Sequence, residues 1–544
     1  MTLRSLVRCI IPILAVTWLN SVPTVEAADL EVLARPGIWP AADHLIAYRG
    51  DIWFSSAVKG VNHNSADIWS YDPAARQTRF RRYLFSQDTG RPAVHKGLLY
   101  WPHEDMRTGM GLGTLSVTNG SDWRNLQFSV GDYMMHTHAA TEWRGQLVTA
   151  LAGWRSALAA SSNGGATWRT LINKPADTGR FHRYNDLVAV SDRLFVRHWQ
   201  TTGVTLAEYR GAAMTPVAGW PADKDLVDLT AFQGALYGLV EDAAGNRELW
   251  RFSPERKDQP TRVTIGVTAL DLRVMVTDGL SLSVVTRTKA GGQVWTSGDG
   301  IHFSKTDTFS GGRPLSAAAL APGLLFIGGA GADGRAILWG PASDRVPLTT
   351  GEPPALPTLP KATMPSLAPP ALDDARQRLT AALAEPASYE RRGRLLQTLI
   401  NAITAQNPPA DFFAAFLDAP VPETQIPTFG GRYHAEAREI ATWRLMIAMA
   451  RHGEAAVPVH YLTRPWRRKS NGPQKWFDPL LIALHTVALA GQNDRPTIDA
   501  LIGRLDTDDD PDWLRSQVTG TLSAVTGQRF AYDAAAWKRW WAQK

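Results

Sequence analysis

Short apolar runs alternate with polar positions along the chain from about residue 30 to residue 350, and turns interrupt them at a nearly fixed interval. The period of two is that of half-buried β-strands rather than helices. Turn residues Gly50, Gly97, Gly145, Asp192, Gly234, Gly279 and Gly323 stand 47, 48, 47, 42, 45 and 44 positions apart. Gly or Asp between two alternating runs is a hairpin signal. A second hairpin follows each first one. Its leading strands include Asp67–Tyr71, Leu115–Val117, Leu158–Ala160, Leu206–Tyr209, Glu248–Arg251, Gln293–Trp295 and Ala336–Trp339. Seven units of four strands at this period predict an all-β, seven-bladed β-propeller over residues 28–351. One blade cannot bury both of its faces alone, whereas seven packed around an axis can. The fullest copy of the unit is Tyr133–Leu171.

The pattern then changes. Residues 352–370 hold seven prolines in nineteen positions and read as a stiff, extended linker. Beyond it, residues 371–544 place apolar side chains at helical spacing over Leu372–Ala384, Tyr389–Gln406, Ala435–Arg451, Pro479–Ala490, Arg495–Arg504 and Trp513–Val525. Asp373 and Asp512 suit helix N-termini. Paired helices of this length resemble HEAT-like α-solenoids, so the expectation is a multi-domain chain with an all-α second part. The aromatic close around Trp537, Trp540 and Trp541 reads as a capping helix. The basic stretch Arg464–Lys475 suits an anionic partner or a solvated loop. Asp506–Asp512 lacks the Gly and Glu spacing of an EF-hand and reads as a solvated helix start.

The first 27 residues form a secretory signal. Arg4 and Arg8 supply the charged region, Cys9–Val16 the apolar core and Val25-Glu26-Ala27 the small-residue cleavage pattern. That core is too short to span a bilayer, and no later segment does so, so the cleaved protein carries no integral membrane span. Cys9 is the sole cysteine, which leaves the mature chain without thiol, disulfide or zinc-thiolate chemistry. A bacterial periplasmic or secreted location follows. Net charge is +6 over 544 residues, and the basic residues do not gather into one run, which argues against nucleic acid as partner. The 21 tryptophans suit a strand-rich protein or one that binds sugars.

The segment Ser161–Trp168 (SSNGGATW) closely resembles the Asp-box of sialidase-like (BNR-repeat) propellers, with Asn in the Asp position. Ser116–Trp123 and Thr296–Phe303 are similar to degraded copies. The resemblance covers the propeller and implies its architecture; it does not imply one activity, because Asp-box propellers include glycosidases, lyases, assembly factors and binding proteins. The arginine triad and the Tyr/Glu pair of a sialidase are not assignable here.

In such a propeller the innermost strand of each blade starts on the top face and the first turn lies at the bottom. This rule sorts candidate residues by face. Seven of nine histidines in the propeller map to the top or the channel, all in blades one to four; His95 and His302 map to bottom turns. The catalytic candidates are His63, His103, His136, His138, His182 and Tyr133. Asn62, Asn64, Arg107, Trp154, Arg155, Arg183, His198 and Trp199 are the substrate-binding candidates. Arg91, Glu104 and Asp105 lie on the same face, and His44 lies along the first inner strand. His or Tyr can move a proton, Arg can neutralise a uronate carboxylate, and Trp can stack on a sugar ring. In residue types this set is similar to seven-bladed uronate lyases. His136-Thr137-His138 also puts two imidazoles on one strand face, so the histidine cluster can take a divalent metal. No paired carboxylates stand out for a standard glycosidase. Two functions follow. One is a carbohydrate-active enzyme, lyase or hydrolase, acting on an anionic polysaccharide or oligosaccharide. The other is a non-catalytic scaffold for a periplasmic protein.

Overall fold

In the first hairpins of blades one, two, three and five, both central turn residues adopt left-handed φ: Arg49–Gly50, Lys96–Gly97, Arg144–Gly145 and Gln233–Gly234. This is the type I′ geometry whose twist matches that of the flanking strands, which is why Gly recurs at the second position. The structure, a computed structural model, describes residues 28–57, 66–104, 113–130, 134–153, 155–175, 183–200, 203–256, 259–266, 271–342, 351–359, 459–463, 479–507 and 512–544. It also describes residues 374, 377, 378, 381, 425–427, 434–436 and 510.

All seven units form antiparallel four-stranded blades in chain order. Blade one runs Asp43–Tyr48, Asp51–Ser56, Asp67–Asp72 and Gln77–Tyr83. The inner strands of blades three to seven are Met134–Trp143, Arg183–Val190, Asp225–Phe232, Asp271–Thr277 and Gly312–Ala321. The ring is closed by the N-terminus. Glu31–Ala34 is the outermost strand of blade seven, antiparallel to Ala336–Gly340. Ala28–Asp29 adds a parallel edge to blade six. The protein is therefore a seven-bladed β-propeller followed by helices.

Alternation makes each blade two-faced, and neighbouring blades bury those faces against each other. Each of the seven blade–blade interfaces holds its own apolar cluster among the described residues. Between blades two and three, for example, Leu115 and Val117 meet Leu147 and Leu151, all fully buried. Each such side chain contributes roughly 1.5–3 kcal/mol by leaving water.

Six inner strands share an irregularity near their top end. The register slips between Asp43 and Ile46, Met134 and His136, Tyr184 and Asp186, Leu226 and Asp228, Leu272 and Val274, and Pro314 and Ser316. A bulge bends the strand and re-aims the side chains around it. In blades four and five the residue after the bulge is Asp, whose Oδ1 accepts from the next backbone N–H: Asp186 from Leu187 and Asp228 from Leu229.

The helices Pro479–Ala490, Arg495–Arg504 and Asp512–Thr526 follow the apolar periodicity closely. Ala534–Trp541 closes the chain, with Asp533 as its N-cap and Trp537 fully buried. Residues 374, 377, 378 and 381 are helical, as expected over 372–384. The helix expected over 389–406 and the basic stretch 464–475 lie outside the described residues. Two expectations change. Ala435 sits in a strand, His434–Glu436, rather than at a helix start, because its backbone pairs with Gln425–Pro427. The Asp506–Asp512 stretch is not simply solvated, because Asp510 is buried against Arg504 at 2.9 Å. The first half of the proline-rich stretch is fastened to the propeller. Arg49 donates to Gly351 O, Asn119 to Pro354 O and Arg124 to Pro357 O, while Leu356 packs on the cluster of blades two and three. Residues 351–359 thus run as a strap across the bottom turns.

The helices also touch the propeller. Phe85 meets His485 edge-on at 4.4 Å, Ser516 Oγ lies 3.5 Å from Asp67 Oδ1, and Gly520 packs directly on Tyr83. Asp67 is fully buried and also accepts from Trp39 Nε1 at 3.0 Å.

Candidate functional site

The first part of the site is made by backbone pairing. His136 pairs across strands with Glu104, the last residue of the strand Leu98–Glu104, so blades two and three share one hydrogen-bonded sheet at their top ends. Cross-strand partners project to the same face, and a residue two positions on joins them. The register slips again between Thr137 and Ala139, and His138 stands beside His136, with rings 5.2 Å apart and nearly parallel. Thr137, between them, points the other way and accepts from Thr114 N. One donor atom from each of Glu104, His136 and His138 lies within 4.8 Å of the others.

Blade two supports this junction by breaking its own inner strand into Asp88–Thr89 and Ala93–His95. Between the two pieces, Arg91 N donates to His138 O at 2.8 Å, and Ala140 N donates to Arg91 O at 3.0 Å. Gly90 is required here, because a Cβ would lie 2.0 Å from His138 O.

Burial, reinforced by Arg183, holds His136 well below its ordinary pKa. Burial does the same for His138, with His136, Arg183 and Arg197 as further causes. Both imidazoles are uncharged at neutral pH. An uncharged imidazole offers a lone pair, as required of a proton acceptor and of a metal ligand alike. The Nε2 of His138 is buried and has no hydrogen-bond partner among the described residues. Glu104 Oε1 lies 3.4 Å from His136 Nδ1 and 3.8 Å from Arg183. Arg183 in turn stacks 4.9 Å over Trp199, its cross-strand partner, which is 36% exposed. Next to this pair, His198 packs on Tyr184 and contacts Gln200 at 2.9 Å. Burial pushes the Tyr184 hydroxyl up to about 12, which makes it a poor acid or base near neutrality.

A second group crosses the channel. From blade two, Arg91 reaches Asp186 of blade four at 2.8 Å, Leu229 O of blade five at 2.7 Å and Asp228 at 3.9 Å. Burial, with Asp186 as a like charge, lifts Asp228 to about 6, and Arg91 opposes this. Arg197 donates to Leu226 O at 2.7 Å beside them.

Of the sequence-predicted residues, the structure brings His136, His138, Arg183 and Trp199 together, and His198 lies alongside. His103 is fully buried and held down to about 3 by burial and by Arg82, a blade-one residue. It faces away from Glu104, its neighbour on the strand, and does not enter the cluster. Arg155 begins the third strand of blade three. Asn62, His63, Asn64, Asp105, Arg107, Tyr133, Trp154 and His182 lie outside the described residues. His95 ends the strand Ala93–His95 beside a bottom turn and His302 sits in one, as expected, each against an acid, Glu142 at 2.9 Å and Asp299 at 2.7 Å. Asp186 and Asp228 were not singled out from sequence. A signal existed, since Asp recurs within the first four positions of the inner strands as Asp43, Asp88, Asp186, Asp225, Asp228 and Asp271.

No family model and no curated protein matches the chain. Solved structures of low identity do. YCF48 bound to a D1 peptide is 13% identical, covers 61% of this chain and 100% of its own, and has a TM-score of 0.43. A PL25 polysaccharide lyase, an ulvan lyase bound to -[GlcA(1-4)Rha3S]-, is 11% identical over 56% of this chain and 94% of its own, at 0.40. The β-propeller domain of Myceliophteria thermophila Cps50 (Swd1) is 13% identical over 57% and 99%, at 0.38.

Proposed function

We propose that the top face of blades two to four binds an anionic polysaccharide and acts on it. The observation that carries this is the convergence of Glu104, His136 and His138 on one face, with Arg183 and exposed Trp199 beside them. Trp199 offers a ring face for a sugar, and Arg183 a cation for a uronate carboxylate. Elimination suits the cluster better than hydrolysis. It holds one carboxylate, whereas glycosidases use two. In the elimination, the proton α to the uronate carboxylate passes to the cluster, a carbon–carbon double bond forms, and the glycosidic oxygen leaves and takes up a proton. Uronate-containing glycans should yield unsaturated products, detected by ultraviolet absorbance, and His138→Ala should abolish them. Full activity in both His136→Ala and His138→Ala would remove the site from consideration.

Export to a bacterial periplasm or medium is part of this reading, supported by the signal-like first 27 residues. Kinship with Asp-box propellers is supported by turn chemistry. Ser161 Oγ accepts from Gly165 N, and Asn163 Oδ1 accepts from Thr167 N. Ser297 and Asp299 repeat the pattern with Gly300 and His302. The helix pairs support a HEAT-like reading of the C-terminal part.

A scaffold reading is favoured by a separate observation. The helices pack on blade one, so helices and propeller present one joined surface. Pull-down from a periplasmic extract tests it, with deletion of residues 371–544 as control. It loses if the protein is partnerless while turning over a glycan.

A further inference from the structure

We propose that Glu104, His136 and His138 hold a divalent transition-metal ion, with Zn²⁺ the best match. The inference rests on the reading of this cluster as the reactive centre and specifies how that centre works: the ion would neutralise the substrate carboxylate as a Lewis acid, and the second carboxylate oxygen of Glu104 would take the α-proton.

Three observations support it. The backbone fixes the ligand set, because Glu104 and His136 are cross-strand partners and His138 is two residues on along the same strand. Their donor atoms already lie within 4.8 Å of one another. Zinc–ligand bonds of about 2.0–2.2 Å place ligand atoms roughly 3.3–3.5 Å apart, so about an ångström of side-chain movement closes the site. The buried His138 Nε2, with no hydrogen-bond partner among the described residues, is a nitrogen waiting for an acid. Two imidazoles and one carboxylate suit zinc and its neighbours, and leave positions open for substrate or water. They do not suit Ca²⁺ or Mg²⁺, which want a fuller shell of oxygens.

Outer contacts agree. Arg91 N holds the His138 carbonyl at 2.8 Å, which fixes the backbone under that ligand. Arg183, 3.8 Å from Glu104 Oε1, competes with an ion for the same oxygen. Its charge therefore opposes the ion while favouring an anionic glycan, and this separates the two proposals.

The experiment is calorimetric titration of chelator-treated, full-length protein with Zn²⁺, with Mg²⁺ in parallel. One Zn²⁺ per chain is expected, and no heat with Mg²⁺. His138→Ala and the near-isosteric Glu104→Gln should each weaken binding by about tenfold or more. His302→Ala, in a bottom turn, should leave it unchanged. Arg183→Gln should tighten Zn²⁺ binding while weakening glycan binding. If His138→Ala fails to fold by circular dichroism, Glu104→Gln decides. No stoichiometric Zn²⁺ uptake by the wild type, or unchanged uptake in Glu104→Gln, overturns the proposal. Zinc bound without any action on glycans leaves the metal site standing and removes only the function. Glycan cleavage undiminished by chelation removes the metal and leaves the function.

Discussion

At the scale of single residues, the tightest constraint is a missing side chain. Gly90→Ala puts a methyl group where the His138 carbonyl stands. Backbone cannot rotate aside, so the cost should reach or exceed the roughly 1–3 kcal/mol of ordinary overpacking. Urea denaturation checks this, and an unchanged midpoint would show that blade two does not lie on blade three as described. Asp228 gives a pH signature. Its folded pKa is raised from 3.8 to about 6, so its contribution is fully present below about 4 and is lost as pH rises through about 6. Asp228→Asn has no such proton to lose. The melting temperature of the variant minus that of the wild type should therefore climb between pH 4 and 6; a flat difference refutes the shift. Part of this site was legible in the sequence. The H-x-H spacing and the face rule together single out His136 and His138. The partnership with Glu104 was not legible, because it depends on pairing between two blades. The reach of Arg91 across the channel was hidden for the same reason. His103 illustrates the opposite failure. The face rule gives height along the axis, but strand alternation decides which way a side chain points.

At the scale of elements, the strands were readable because turn chemistry and alternation agree in every blade. Arg49–Gly50 and its equivalents set the hairpins, and the apolar positions set which face is buried. The short strand His434–Glu436 was not readable, since its apolar spacing also fits the helix that follows in the pattern. Docking of the helices was equally silent, because it depends on a few contacts distant in sequence. The helix Asp512–Thr526 lies on blade one where Gly520 leaves room for Tyr83; a Cβ there would come within 2.5 Å of that side chain. Gly520→Val should lift the helix from the blade. Limited proteolysis should then cut residues 479–544 away faster while the propeller keeps its melting transition. Equal cleavage rates would mean that the contact does not hold the helices in place. Substituting Phe85 with Ala tests the same interface from the propeller side, through its edge-on contact with His485 at 4.4 Å.

At the scale of the whole molecule, the described propeller is held by like parts: seven interfaces, each with its own apolar cluster, and no disulfide, since the sole cysteine is Cys9. The repeat made this architecture legible from end to end. Its closure was less so, because Glu31–Ala34 carries no turn signal linking it to blade seven. Deleting residues 28–34 should leave Ala336–Gly340 as a bare sheet edge. Lower stability and association between molecules are expected, measured by melting and by size-exclusion chromatography. A monomer of unchanged stability would show that the seventh blade stands without its N-terminal strand. The same closure sets a timetable. Glu31–Ala34 must wait for Ala336–Gly340, about 300 residues later, before it has a partner. A nascent chain therefore holds an open arc of blades rather than a ring, and the propeller becomes whole only when its two distant ends have both been made.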